Sequence, residues 1–152
     1  MTLALADIID AAVSHALALG EFDQVNGHEP KRAPGLGISA AVWAQSLRPI
    51  SARSGLASTS ALVTLTVRVY TSMLQEPQDA IDPHLLGAVD ALMRAYTGDF
   101  ELGGLVANVD LLGAYGPGLF ADSGYMNQDQ TLYRVVTITL PLVINNLWDQ
   151  VA

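Results

Sequence analysis

The stretch 58–83, STSALVTLTVRVYTSMLQEPQDAIDP, constrains the fold more than any other part of the chain. Val63, Leu65, Val67 and Val69 point one way along it, and Thr64, Thr66, Arg68 and Tyr70 point the other. A period of two over this length predicts a half-buried antiparallel strand. A polar elbow follows, and Asp82-Pro83 then opens a helix, with Asp as N-cap and Pro at the first helical position. Leu86, Val89, Met93 and Tyr96 make the buried stripe of that helix, and Thr97-Gly98 ends it.

The rest of the chain supplies what these two elements pack against. Leu5, Ile8, Ile9, Ala12, Ala16 and Leu19 recur at helical spacing over 2–19, with Thr2 as the cap and Gly20 as the stop. Residues 21–37 read as a loop, with short extended pieces leading into the first strand allowed, because Asn26-Gly27, Pro30 and Pro34 interrupt regular pairing. A strand over 38–47 puts Ile38, Ala40, Val42 and Ala44 on one face and Trp43 on the other. Residues 48–57, RPISARSGLA, are expected to project as a hairpin arm or loop. A strand over 106–112, a Gly-rich loop over 113–129, a long strand over 130–144 and a tail over 145–152 complete the chain. The order helix, strand, strand, helix, strand, strand predicts one α+β domain over 1–152. It is a mostly antiparallel sheet of about four or more strands with two helices packed on one face.

Composition adds one expectation and removes several. At 152 residues the chain is sized for one domain, yet 51% of it is apolar and only 14% charged. Either part of that apolar surface meets other subunits, or the many alanines inflate the share. The net charge is −8, and Lys31-Arg32 is the only adjacent basic pair. Gripping a phosphate backbone takes several cations on one face, so a DNA-gripping role is excluded. An acidic ring through which DNA slides stays compatible. The absence of cysteine excludes disulfides and thiol chemistry. Residues 1–20 carry Asp7 and Asp10 and lack a basic start, unlike a signal peptide. No run approaches the roughly 18 apolar residues of a membrane span. A soluble protein made in a cytoplasm, with no membrane partner, is the expectation.

The residues offer no reaction. His15, His28 and His84 have no partner at metal-ligand spacing. Asp7 and Asp10 are helix neighbours whose charge opposes the helix dipole, which explains them better than acid-base work. Asp122, Asn127 and Asp129 around Gly124 read as turn chemistry rather than a cation loop. The glycines match no nucleotide-binding spacing, and Ser54-Gly55 is not a nucleophile elbow. The expectation is therefore no catalytic residue, no metal, no cofactor and no enzyme. What remains is contact chemistry: Trp43, Ile50, Leu56, Met73, Leu74, Leu119, Phe120, Tyr125, Met126 and Trp148 occupy places where a monomer prefers polar residues.

Several long stretches carry a resemblance that covers the chain from about residue 29 onward. They are EPKRAPG (29–35), SGLASTSA (54–61), VYTSMLQEPQDAIDP (69–83), GDFELGG (98–104), NVDLLGAYG (108–116) and TLYRVVTITLPLVINNLWDQ (131–150). Together they resemble the tail terminators of siphophages that infect actinobacteria. That resemblance implies a structural virion protein at the head-proximal end of the tail, assembled in the host cytoplasm. It implies a homohexameric ring of α+β subunits that stops growth of the major tail tube protein and docks the capsid neck, or head-completion, protein. DNA is then only a passing, non-specific cargo. The loops 48–57 and 113–129 are expected to make the contacts between rings.

Two other classes stay open at this point. Another head-tail connector, a stopper or a tail tube component would share the resemblance, and a tube component should polymerise alone. A small α+β ligand-binding domain would need a pocket with convergent polar groups.

Overall fold

The structure, a computed structural model, describes residues 2–28, 37–73 and 81–151. The alternating stretch forms β3 (Ser58–Ser72), which lies between β2 (Ile38–Ile50) and β6 (Thr131–Asp149) and runs antiparallel to both. Val63, Leu65, Val67 and Val69 enter the main core as expected, joined by Val136, Ile138, Leu140 and Leu142 of β6. Each such fully buried side chain contributes about 1.5–3 kcal/mol of hydrophobic stabilisation. β3 is more than half-buried, however. On its other face Tyr70 packs with Ala41, Tyr133 and Val135, and Leu62 packs with Ile50 and Val143. Two small apolar clusters therefore cover both ends of a face that the sequence pattern leaves to solvent.

The strand order is β1-β2-β3-β6, where β1 is Gln24–Asn26, and the far edge of β6 is shared by β4 (Asn108–Val109) and β5 (Phe120–Gln128). Among the described strands only β1 runs parallel to its neighbour, so the six-stranded sheet they form is mixed but mostly antiparallel.

The loop expected over 21–37 holds the short strand β1, and four further boundaries differ from the sequence expectation. β2 continues to Ile50, because a register shift between Ala44 and Ser46 changes the phase of its alternation; Ala44, beside it, is exposed. The strand expected over 106–112 shrinks to Asn108–Val109. The loop expected over 113–129 contains β5, a nine-residue strand paired along its length with β6. The turn between them, Asp129-Gln130, has φ of 51° and 63°, the mirror-image geometry whose twist suits a two-residue hairpin. Finally, 145–149 is strand rather than tail: Trp148 pairs with Thr59 and Asp149 with Ser58. A register shift between Thr59 and Ala61, with Asn146 at φ 52°, breaks the alternation there without ending the strand.

Both helices pack on the same face of the sheet and share its core. In α1 (Leu5–Leu19), Ile8, Ala12 and Ala16 are buried, and Gly20 closes the helix at φ 69°. Its N-cap is Ala4 with no side-chain cap bond, not Thr2. α2 (Ile81–Gly98) begins one residue before Asp82, so Asp82 sits in the first turn, where its charge still favours the helix dipole. The buried stripe of α2 is Ile81, Leu85, Ala88, Val89, Leu92 and Tyr96. Leu86 therefore turns outward and Met93 is only partly covered. The Tyr96 hydroxyl donates to the Ala12 carbonyl at 3.0 Å, which ties the helices together, and burial pushes its ionisation well above the usual tyrosine range. His15 Nε2 lies 2.8 Å from Asp99, edge-on to the Tyr96 ring. No helix among the described residues is long and apolar enough to cross a membrane.

Candidate interaction surface

The two loops singled out from the sequence form one braced end of the sheet. Arg48 donates to the Tyr115 carbonyl. Arg53 donates to Asn145 Oδ1 at 2.9 Å and to the Tyr115 hydroxyl at 3.2 Å, and its guanidinium lies 5.9 Å from the Tyr115 ring centre. From below, buried Asp110 accepts from the backbone N–H groups of Ala114 and Tyr115 at 2.7 and 3.1 Å. The glycines permit this turn: a Cβ on Gly113, whose φ is 79°, would meet the Gly116 carbonyl at 2.5 Å. The hairpin tip is held by Ser54 and Gln150, whose side chains donate to the Ile50 and Gly55 carbonyls.

Out of this frame stand two leucines. Leu56 is 97% exposed at the hairpin tip and Leu112 is 99% exposed before the glycine turn. Leu56 was expected from the sequence; Leu112 was not, although a leucine directly before Gly113 in a Gly-rich loop is a signal of that kind.

The other candidates divide. Ile50 is 3% exposed, packed inside the chain between Leu62 and Val143, so it is not free to meet a partner. Leu119 is partly buried against the main core, with its N–H bonded to the Leu111 carbonyl, and acts as an anchor of the loop. Met73 is partly covered, and Leu74 lies outside the described residues. Trp43 and Met126 pack on the small cluster around Tyr70 and Tyr133, with the Arg68 guanidinium 5.2 Å from the Trp43 ring centre. Phe120 is half-exposed on β5, and Trp148 is partly exposed at the end of β6. Tyr125 is exposed beneath Arg134, 4.6 Å from its ring centre. Arg134 also reaches Asp82 at 3.0 Å, so the exposed ring is held in place. Burial and the nearby Asp129 raise the ionisation of Tyr133 above the usual tyrosine range.

An open groove of about 470 Å³ runs between α2 and residues 111–119, lined by Met93, Leu111, Leu112 and Leu119 with Asp90, Arg94 and Thr97 at its rim. Its polar side chains are engaged: Asp90 with Arg94 at 2.8 Å, and Thr97 Oγ1 with the Met93 carbonyl. Among the described residues no group of three or more His, Cys, Asp or Glu could hold a metal ion.

No family model matches the chain, and no curated protein matches it either.

Proposed function

We propose that this chain is a tail-terminator subunit, a structural virion protein that caps the head-proximal end of a tail tube as a ring. The observation that carries the proposal is the braced end of the sheet, where Leu56 and Leu112 stand almost wholly exposed on loops held by Arg48, Arg53 and Asp110. Apolar tips cost free energy in water, and fixing them in advance lowers the entropy lost on contact. That combination suits docking onto a preformed tube end. The sequence resemblance and the α+β architecture agree with it.

The physical task explains why one face must differ from the other. A tube grows by head-to-tail contacts that never close along its axis. A cap must fit the last tube ring on one side and refuse further tube subunits on the other, leaving that side for the neck. The chain's net charge of −8 suits a ring through which DNA passes without sticking.

Polymerisation of the tube protein, followed by light scattering with and without this chain, tests the proposal. Arrest at a plateau set by the ratio of the two proteins supports it. Unchanged growth contradicts it and turns attention to a connector or stopper role, and spontaneous polymerisation of this chain alone makes it a tube component. The groove beside α2 is the feature on which a second reading, a small ligand-binding domain, would rest, and its polar rim is already engaged within the chain. Specific stabilisation by one compound in a thermal-shift screen is its test.

A further inference from the structure

Charge is divided between the two sides of the sheet. On the face without helices, strand pairing aligns Arg48 with Leu62 and Arg68 with Ala41 and Thr137, and directly paired residues share a face. Arg53 joins them through Asn145 and Tyr115. The three guanidiniums bond to neutral acceptors, and among the described residues none forms an ion pair. Trp43 and half-exposed Phe120 lie on the same face, with Asp122 as an acid on β5.

The other side is acidic. Asp7, Asp10, Ser14 and Leu17 recur at spacings of three and four on α1, opposite the buried Ile8, Ala12 and Ala16. Leu17 is 60% exposed in this stripe, and Glu21 follows it. No ion pair among the described residues engages Asp7, Asp10 or Glu21. α2 repeats the pattern with exposed Leu86 between Asp82 and Asp90, but Arg134 and Arg94 already occupy those carboxylates. Among the described residues, the stripe on α1 is therefore a run of acidic side chains on one helix face that no ion pair occupies.

We propose that the helix-free sheet face of one copy binds the outer stripe of α1 on a second copy, head to tail. Arg48, Arg53 and Arg68 would meet Asp7, Asp10 and Glu21, while Leu17 meets the Trp43 and Phe120 side. The two patches lie on opposite sides of a two-layer molecule, so a two-fold dimer cannot satisfy both. The contact repeats instead, and closes as a ring if the rotation allows. This deepens the ring proposed above by naming the contact between subunits, but needs neither tube nor neck.

Charge reversal on each side tests it with the full chain in sedimentation velocity. Salt dependence is a poor readout, because screening also relieves the repulsion between copies of charge −8. The wild type is expected to self-associate beyond a dimer at sub-millimolar concentration. R48E/R53E and D7K/D10K should each weaken that by about tenfold or more. Mixed in equal amounts they should assemble again, because every contact is then native or reversed on both sides. A wild type that stays monomeric, variants that associate like the wild type, or a mixture no better than its parts overturns the proposal. If R48E/R53E loses its fold, D7K/D10K decides alone, since among the described residues those exposed side chains carry no bond. Assembly that reverses and recovers with charge while tubes stay uncapped supports this contact and contradicts the terminator role. A monomer that caps tubes does the opposite.

Discussion

Replacing Leu147 by alanine probes the part of the fold that departs furthest from the sequence pattern. Five residues from the end of the chain, in a stretch that reads as a tail, Leu147 is 1% exposed and belongs to the main core. Truncating a fully buried leucine removes its transfer free energy and leaves a cavity, at a cost of about 2–5 kcal/mol. A domain of this size loses about 2–4 °C in Tm per kcal/mol, so a mid-range cost of about 3 kcal/mol lowers Tm by about 6–12 °C. The paired control is Val151→Ala, where an exposed side chain four residues on should change stability by less than about 0.5 kcal/mol. Urea unfolding followed by circular dichroism reads both, with stability from linear extrapolation. A Leu147→Ala protein within about 0.5 kcal/mol of the wild type refutes the argument that β6 runs through the core to its end.

Gln130→Gly should stabilise the fold by about 0.5–1 kcal/mol, because glycine adopts the φ of 63° at that turn without steric cost; thermal melting checks it. Tyr96→Phe should cost about 1 kcal/mol in urea unfolding, the worth of the hydroxyl bond to Ala12. The Gly103 N–H and His15 hold the Asp99 carboxyl below its usual range, so its contribution is present above the unfolded carboxylate pKa and lost as pH falls through the folded value. Asp99→Asn should therefore trail the wild type by no more than about 1 kcal/mol at neutral pH, the pair being partly open to solvent, and match it in acid unfolding at about pH 2. Leu112→Asp should leave Tm unchanged, since the side chain stands almost wholly in solvent at the edge of the groove, yet abolish tube arrest in the light-scattering assay.

Periodic elements were legible in the sequence because their side-chain spacing is set locally. β3, the first half of β2 and the buried stripe of α1 follow directly from a period of two or of 3.6. β5 did not, since FADSGYMNQ holds no β-branched residue and carries Gly124 and Asp122. It is a strand because β6 offers it an edge, a case where pairing overrides propensity. The ends of β2 and β6 were missed because register shifts move the alternation by one residue while the backbone bonds continue. The candidate surface was half legible. Leu56 beside Gly55 and the aromatics of β5 stand out in sequence. The burial of Ile50 depends on Leu62 and Val143, and the brace formed by Arg48 and Arg53 depends on Tyr115, more than 60 residues away. Contacts over such separations leave no local pattern.

Negative-stain microscopy of this protein mixed with its polymerising tube protein tests the central claim most directly. Tubes of limited length with a six-fold ring at one end are the predicted result. Uncapped tubes of unchanged length beside free protein would contradict the account.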